Sequence, residues 1–180
     1  MLLSYNELCE LVRDGVIDAD PQFINGASID IRIGRELFVE QAFYSGEIVD
    51  LSDKSSELPM DRFVMEDGGF ALFPGQFCLA HSVETFNLPD DIACEFRLRS
   101  SIARRGLNAL LAGWCDPGWH GSQLTLELHN TLQYHSVLLR PNLRIGQMMF
   151  YRCETVPKER SYATVGRYNH QSGVVASKGA

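Results

Sequence analysis

The chain has 180 residues, of which 45% are hydrophobic and 22% charged, and its formal charge is −7. That size suits one domain, residues 1–180, with a substantial core. The acidic balance argues against broad nucleic-acid binding, and no run of about 18 apolar residues is present to span a membrane as a helix.

The opening segment is mixed polar and acidic, unlike a signal peptide, so a cytoplasmic location is expected. Ser4 and Glu7 have capping-box spacing, Leu8, Leu11 and Val12 mark one apolar face, and Gly15 can end the helix. After this short N-terminal helix the 3.6-residue period disappears. "ASIDIRIG" alternates, with Ile29, Ile31 and Ile33 on one face and Ser28, Asp30 and Arg32 on the other. "FALFPGQFCLAHS" reads as two apolar runs around a Pro74-Gly75 turn, and "NLPDDIACEFRLRS" as a turn feeding a strand. "QLTLELHN" turns Leu124, Leu126 and Leu128 inward and Thr125, Glu127 and His129 the other way. "HSVLLRPNLRIGQMMFYRC" reads as two strands broken at Pro141-Asn142. Many short strands with regular turn signals predict a mainly β sandwich or barrel. The tail from 158 to 180 is polar, rich in small residues, and mobile unless something ties it down.

The five cysteines are scattered and form no C-x-x-C pair, so buried free thiols are expected rather than a disulfide framework or zinc knuckle. The chain also lacks the H-x-E and P-C-x-x-C motifs of zinc-dependent base deaminases, and its histidines fall in no ligand spacing. A protein-bound zinc is therefore not expected.

Three stretches can carry chemistry. In "LRSSIARRGL" three arginines and two serines share ten residues, with Gly106 closing the turn. Hydroxyls, backbone N–H groups at a helix start, and the guanidiniums of Arg99 and Arg104 suit a polyphosphate; a solvated turn paired with acidic neighbours is the alternative. In "AGWCDPGWHG", Asp116-Pro117-Gly118 is a turn flanked by Trp114 and Trp119, which can frame a flat base or plug one end of a barrel. Glu127 is either an exposed strand glutamate or, if its face lines a pocket, a carboxylate whose pKa desolvation raises toward that of a useful general base.

Taken in order, "INGASIDIRIG", "RSSIARRGL", "AGWCDPGWHGSQLTLELHN", "LRIGQMMF" and "RYNHQSGVVAS" resemble the dCTP deaminases of the trimeric dUTPase-like superfamily. The resemblance implies a distorted, jelly-roll-like β-barrel of dUTPase type and a homotrimer with sites at subunit interfaces. It implies hydrolytic deamination of dCTP to dUTP and ammonia, with Mg2+ carried on the triphosphate and dTTP as an inhibitor. On that resemblance Glu127 is the base that activates water for attack on cytosine C4. Arg99, Ser100, Ser101 and Arg104 hold the triphosphate. Ala112, Asp116 and Thr125 form the sugar and base pocket, and Tyr162, Arg167 and Gln171 belong to a C-terminal lid.

The chain also departs from the pattern. Leu98 stands where relatives usually have glycine, and the segment between Gly121 and Glu127 is one residue longer. Trp114 stands where several deaminases that release dUTP carry arginine, in an A-G-W sequence nearer to relatives that also hydrolyse dUTP. Four functions follow: a dCTP deaminase, a bifunctional enzyme releasing dUMP and pyrophosphate, a dUTPase alone, or a non-catalytic nucleotide-binding trimer.

Overall fold

A computed structural model describes residues 1–41, 48–110 and 112–179. Helix α1 (Tyr5–Arg13) begins as its capping box dictates, the backbone N–H of Ser4 donating to the Glu7 carboxylate at 2.9 Å. Leu8 and Leu11 are buried, and Gly15, at φ +74°, takes the left-handed conformation just past the helix end.

Eleven strands follow among the described residues: β1 (Ile29–Arg32), β2 (Glu36–Glu40), β3 (Met60–Val64), β4 (Phe70–Leu72), β5 (Phe77–Asn87), β6 (Ile92–Leu98), β7 (Leu107–Asn108), β8 (Trp114–Cys115), β9 (His120–Asn130), β10 (Val137–Leu139) and β11 (Arg144–Arg152). A four-stranded sheet runs β1-β11-β6-β8, a five-stranded sheet runs β3-β2-β5-β9-β7, and β10 pairs with β4. Every pairing is antiparallel. The fold is mainly β, as expected, with two helical turns added to α1: α2 (Ser100–Ala103) and α3 (Tyr162–Val165). No described helix is long and apolar enough to cross a membrane.

The core lies between the sheets. Ile29, Ile31 and Ile33 of the first alternating segment are fully buried, as are Phe86, Leu126, Ile145 and Phe150. Each such side chain contributes roughly 1.5–3 kcal/mol by leaving water. Trp119 lies against Phe86 with ring centroids 5.3 Å apart and is core, whereas Trp114 is exposed and sits 6.0 Å from Tyr151. The two rings do not stack on each other, although both line the cavity described below.

The Pro74-Gly75 turn is present, with Gly75 at φ +74°, but the runs on its two sides do not pair with each other: β4 pairs with β10, and β5 with β2 and β9. On the polar face of "ASIDIRIG", Asp30 is only 2% exposed. The thiols also divide: Cys78, Cys94 and Cys115 are buried, Cys9 is half-buried and Cys153 is exposed.

Two irregularities shape the β5–β9 pair. Ser82, Val83 and Glu84 of β5 together oppose Leu124, with the Ser82 hydroxyl accepting from the Leu124 N–H at 2.8 Å. On β9, Gly121 is an extra residue between those paired with Phe86 and Asn87, and it adopts φ +63°. A bulge of this kind absorbs one residue without disturbing the register beyond it.

Candidate active site

Strand β9 carries the chemistry by its parity. From Ser122 to Asn130 the even positions are buried in the core, while Thr125 and Glu127, at odd positions, face a cavity of about 780 Å³. That volume lies in the ordinary range for small-molecule sites. Further wall comes from an apolar floor that includes Met60, Phe77, Leu79, Trp119 and Leu124, from Ala112, from Trp114 to Asp116, from Tyr162 and Tyr168, and from two covering segments. One is the loop around Val49–Leu58; the other is the tail at Gln171 and Val175–Ser177.

Both covers are held. In the loop, Asp50 and Asp53 each accept hydrogen bonds from the N–H and hydroxyl of the serine two residues on, two successive Asx-type turns. The tail is stitched to β9. The His170 N–H donates to the His120 carbonyl at 3.1 Å and the Gln123 N–H to the Gln171 carbonyl at 3.0 Å, while the Gly173 N–H reaches the Gln123 side chain at 2.7 Å. Ser161 anchors the start of α3, its hydroxyl donating to Asp90. Thus a tail that composition alone would leave mobile is tied down within the same chain.

Glu127 is half-buried, and desolvation pushes its carboxyl above the usual carboxylate range; only its own backbone N–H pulls the other way. Asp116 accepts from the Trp114 indole N–H at 2.9 Å, which pins one carboxylate oxygen. Tyr162 is raised by burial, and its backbone N–H is tied to the Pro117 carbonyl at 3.0 Å. Among the described residues two buried side-chain polar atoms lack a hydrogen-bond partner, the Thr125 hydroxyl and the Gln171 carbonyl oxygen. Both residues line the cavity. A buried polar group without a partner costs about 1–3 kcal/mol, so two in one cavity mark where a polar ligand belongs.

Of the residues singled out in the sequence, Glu127, Asp116, Ala112, Thr125, Tyr162 and Gln171 therefore converge. Arg99, Ser100, Ser101, Arg104 and Arg167 do not line the cavity. Ser100 and Ser101 sit exposed at the start of α2, with Arg99 at its N-cap. Arg167 instead donates to the Gly179 carbonyl at 2.7 Å. Among the described residues the lining holds Asp50, Asp53, Glu57, Asp116 and Glu127 but no lysine, arginine or histidine. Sequence reasoning missed the Val49–Leu58 loop. Its signal was present in the repeated D-x-S of "DLSDKS", a turn pattern with no strand or helix period.

A carboxylate-bearing pocket on a mainly β fold defines a protein built to take a small polar ligand. The family profile described as dCTP deaminase-like matches residues 2–153. A protein of Beutenbergia cavernae called dCTP deaminase, dUMP-forming, is 35% identical over 99% of this chain and 94% of its own. One of that same name from Methanothermobacter thermautotrophicus is 36% identical over 92% of this chain and 86% of its own. A dCTP deaminase of Haloarcula marismortui is 39% identical over 98% of this chain and 91% of its own. The chain belongs to the dCTP deaminase-like family. The crystal structure of 2'-deoxycytidine 5'-triphosphate deaminase from Agrobacterium tumefaciens superposes with a TM-score of 0.63 at 17% identity. The match covers 84% of this chain and 48% of that one, and it shows the shared fold.

Proposed function

We propose that this protein hydrolytically deaminates dCTP, with Glu127 as the base. The observation that supports this most is the desolvated Glu127 carboxyl beside two unpartnered polar atoms, those of Thr125 and Gln171, in one cavity. A cytosine edge offers both an amino donor and acceptors, which is what an unpaired hydroxyl and an unpaired amide oxygen require. Glu127, ionised and short of solvation, takes a proton from the water that attacks C4 and hands it to N3. It then takes the proton of the new C4 hydroxyl and hands it to the amine, which leaves as ammonia as the C4–N bond breaks and the carbonyl forms. Asp116, held by Trp114, takes the sugar hydroxyl. The tail from 158 onward serves as the lid, with Tyr162 and Gln171 on its inner side and Arg167 among its residues.

The charge of the cavity bears on assembly. A triphosphate cannot be held by a wall that offers carboxylates and no cation, so its grip must come from elsewhere. Arg99, Ser100, Ser101 and Arg104 are the cation and hydroxyl cluster suited to it. They serve the cavity of a second copy, in a homotrimer with sites between subunits. Mg2+ fits the same picture: an acidic wall facing phosphate oxygens favours a hard cation that takes oxygen ligands from both, and it supplies charge neutralisation on the substrate.

A second product is favoured by the relatives called dUMP-forming and by Asp116, which can orient a water at the α-phosphate after deamination. Incubation with dCTP and Mg2+, followed by ion-exchange separation, decides between them. dUTP with ammonia supports deamination alone, dUMP with pyrophosphate the two-step reaction, and an unchanged dCTP pool refutes both.

A further inference from the structure

The motif "ASIDIRIG" contributes nothing to the cavity, yet it carries one of the most buried carboxylates in the protein. Asp30 is 2% exposed, in the middle of β1. Its Oδ2 accepts a hydrogen bond from Arg144 Nη1 at 3.1 Å and forms an ion pair with Arg99 Nη1 at 3.2 Å, and its Oδ1 accepts from the Asn25 side-chain amide at 3.0 Å. One buried carboxylate oxygen thus bridges two guanidiniums. The backbone brings them together as well, since the Arg99 N–H donates to the carbonyl of Ile145, the residue after Arg144. The Arg144 guanidinium also stands over the Phe23 ring, 5.7 Å from its centroid.

Two positive charges this close repel each other, and a solvated surface would let them part. Here they are held together while part-exposed, 30% for the Arg99 side chain and 48% for Arg144. A guanidinium has five N–H donors, and the contact with Asp30 engages one nitrogen of each arginine. Arg99 is also the N-cap of α2, whose first two residues, Ser100 and Ser101, are exposed.

We propose that Asp30 is a positioning residue that presents Arg99 and Arg144 as a pair, and that Arg144 is itself a ligand of the substrate's polyphosphate. This rests on the reading of the Arg99–Arg104 turn as the triphosphate grip and extends it to a residue on β11. Arg32, the other arginine of the motif, is committed elsewhere: its Nε lies 2.7 Å from the fully buried Glu84 carboxylate.

The sign of one substitution separates positioning from mere charge. Asp30→Asn removes a negative charge near a polyanion site, so by Coulomb's law alone it tightens binding. If Asp30 positions the arginines, it weakens binding instead. The probe is inorganic tripolyphosphate titrated calorimetrically into the full chain, with deoxycytidine as the control ligand. Arg144→Gln is expected to lower tripolyphosphate affinity about tenfold, the loss of one charge-assisted contact. It should raise KM for dCTP similarly while kcat and deoxycytidine affinity stay within about twofold of the original. Arg144→Lys, a point charge without the fork, is expected to fall between. Asp30→Asn is expected to weaken tripolyphosphate binding; should it fail to fold by circular dichroism, Arg144→Gln decides. If Arg104→Ala weakens tripolyphosphate and Arg144→Gln does not, the extension to β11 is wrong while the grip stands. If neither does, the reading of the turn itself falls and takes this inference with it. Tighter binding in a folded Asp30→Asn variant also overturns the positioning role.

Discussion

Replacing Glu127 by glutamine tests the proposed chemistry at its centre. The side chain keeps its shape, so the cavity wall and the leucines behind it, Leu126 and Leu128, are undisturbed. What disappears is the ability to accept a proton. General base catalysis is worth on the order of 10²–10⁴ in rate, or about 2.7–5.4 kcal/mol of barrier, and kcat for deamination should drop by that factor. Stability should move the other way. Burial raises the Glu127 carboxyl above its unfolded value, so folding favours the protonated form. The native protein therefore loses stability as pH rises from the ordinary glutamate range through the raised value, and the glutamine variant does not. In the native enzyme the acid limb of kcat is expected above the usual carboxylate range, because activity requires the ionised form. The assay is ammonia release from dCTP across pH, paired with thermal melts at pH 4 and pH 8. A variant that deaminates within tenfold of the original, or whose melting temperature drops at pH 8, refutes the assignment of a desolvated base.

Three further outcomes are expected. Thr125→Val removes a buried hydroxyl that has no partner, so the melting temperature should hold or rise while dCTP affinity falls; unchanged affinity by titration would detach that hydroxyl from the ligand. Trp114→Phe keeps a ring against Tyr151 but withdraws the N–H from Asp116. A loss of about 1 kcal/mol is expected, seen as a roughly fivefold drop in kcat/KM, and no change would mean that Asp116 needs no pin. Burial pushes the Cys78 thiol up to about 12, so iodoacetamide at pH 8 should label exposed Cys153 and spare Cys78, as peptide mass analysis would report.

Local structure was legible wherever a periodicity or a cap speaks for itself. The capping box at Ser4 marked α1, and the alternation of Leu124, Leu126 and Leu128 told which face of β9 turns inward. Because side chains alternate strictly, knowing the leucine face also located Thr125 and Glu127 opposite it. Partner choice was not legible. Nothing in Phe70–Leu72 says that it pairs with Val137–Leu139 rather than with the neighbouring run across Gly75. Pairing is decided by tertiary packing, and the tight turn at Gly75 mimics a hairpin signal. Nor could alternation reveal that the polar side of β1 is covered, since Asp30 looks the same in sequence whether it meets water or two arginines. The separation of Arg99–Arg104 from the cavity was equally invisible, because the order of motifs along a chain carries no distances between them.

The Gly121 bulge has an evolutionary corollary. Along β9 the odd and even positions belong to different trades, so a single inserted or deleted codon between Gln123 and His129 would turn the leucines into the ligand's space and press Thr125 and Glu127 into oil. An extra residue at Gly121, where the ladder already skips a step, leaves that parity intact. Length drift in this lineage is therefore expected to collect at that glycine and to be purged from the eight positions downstream of Ser122, Gln123 to Asn130.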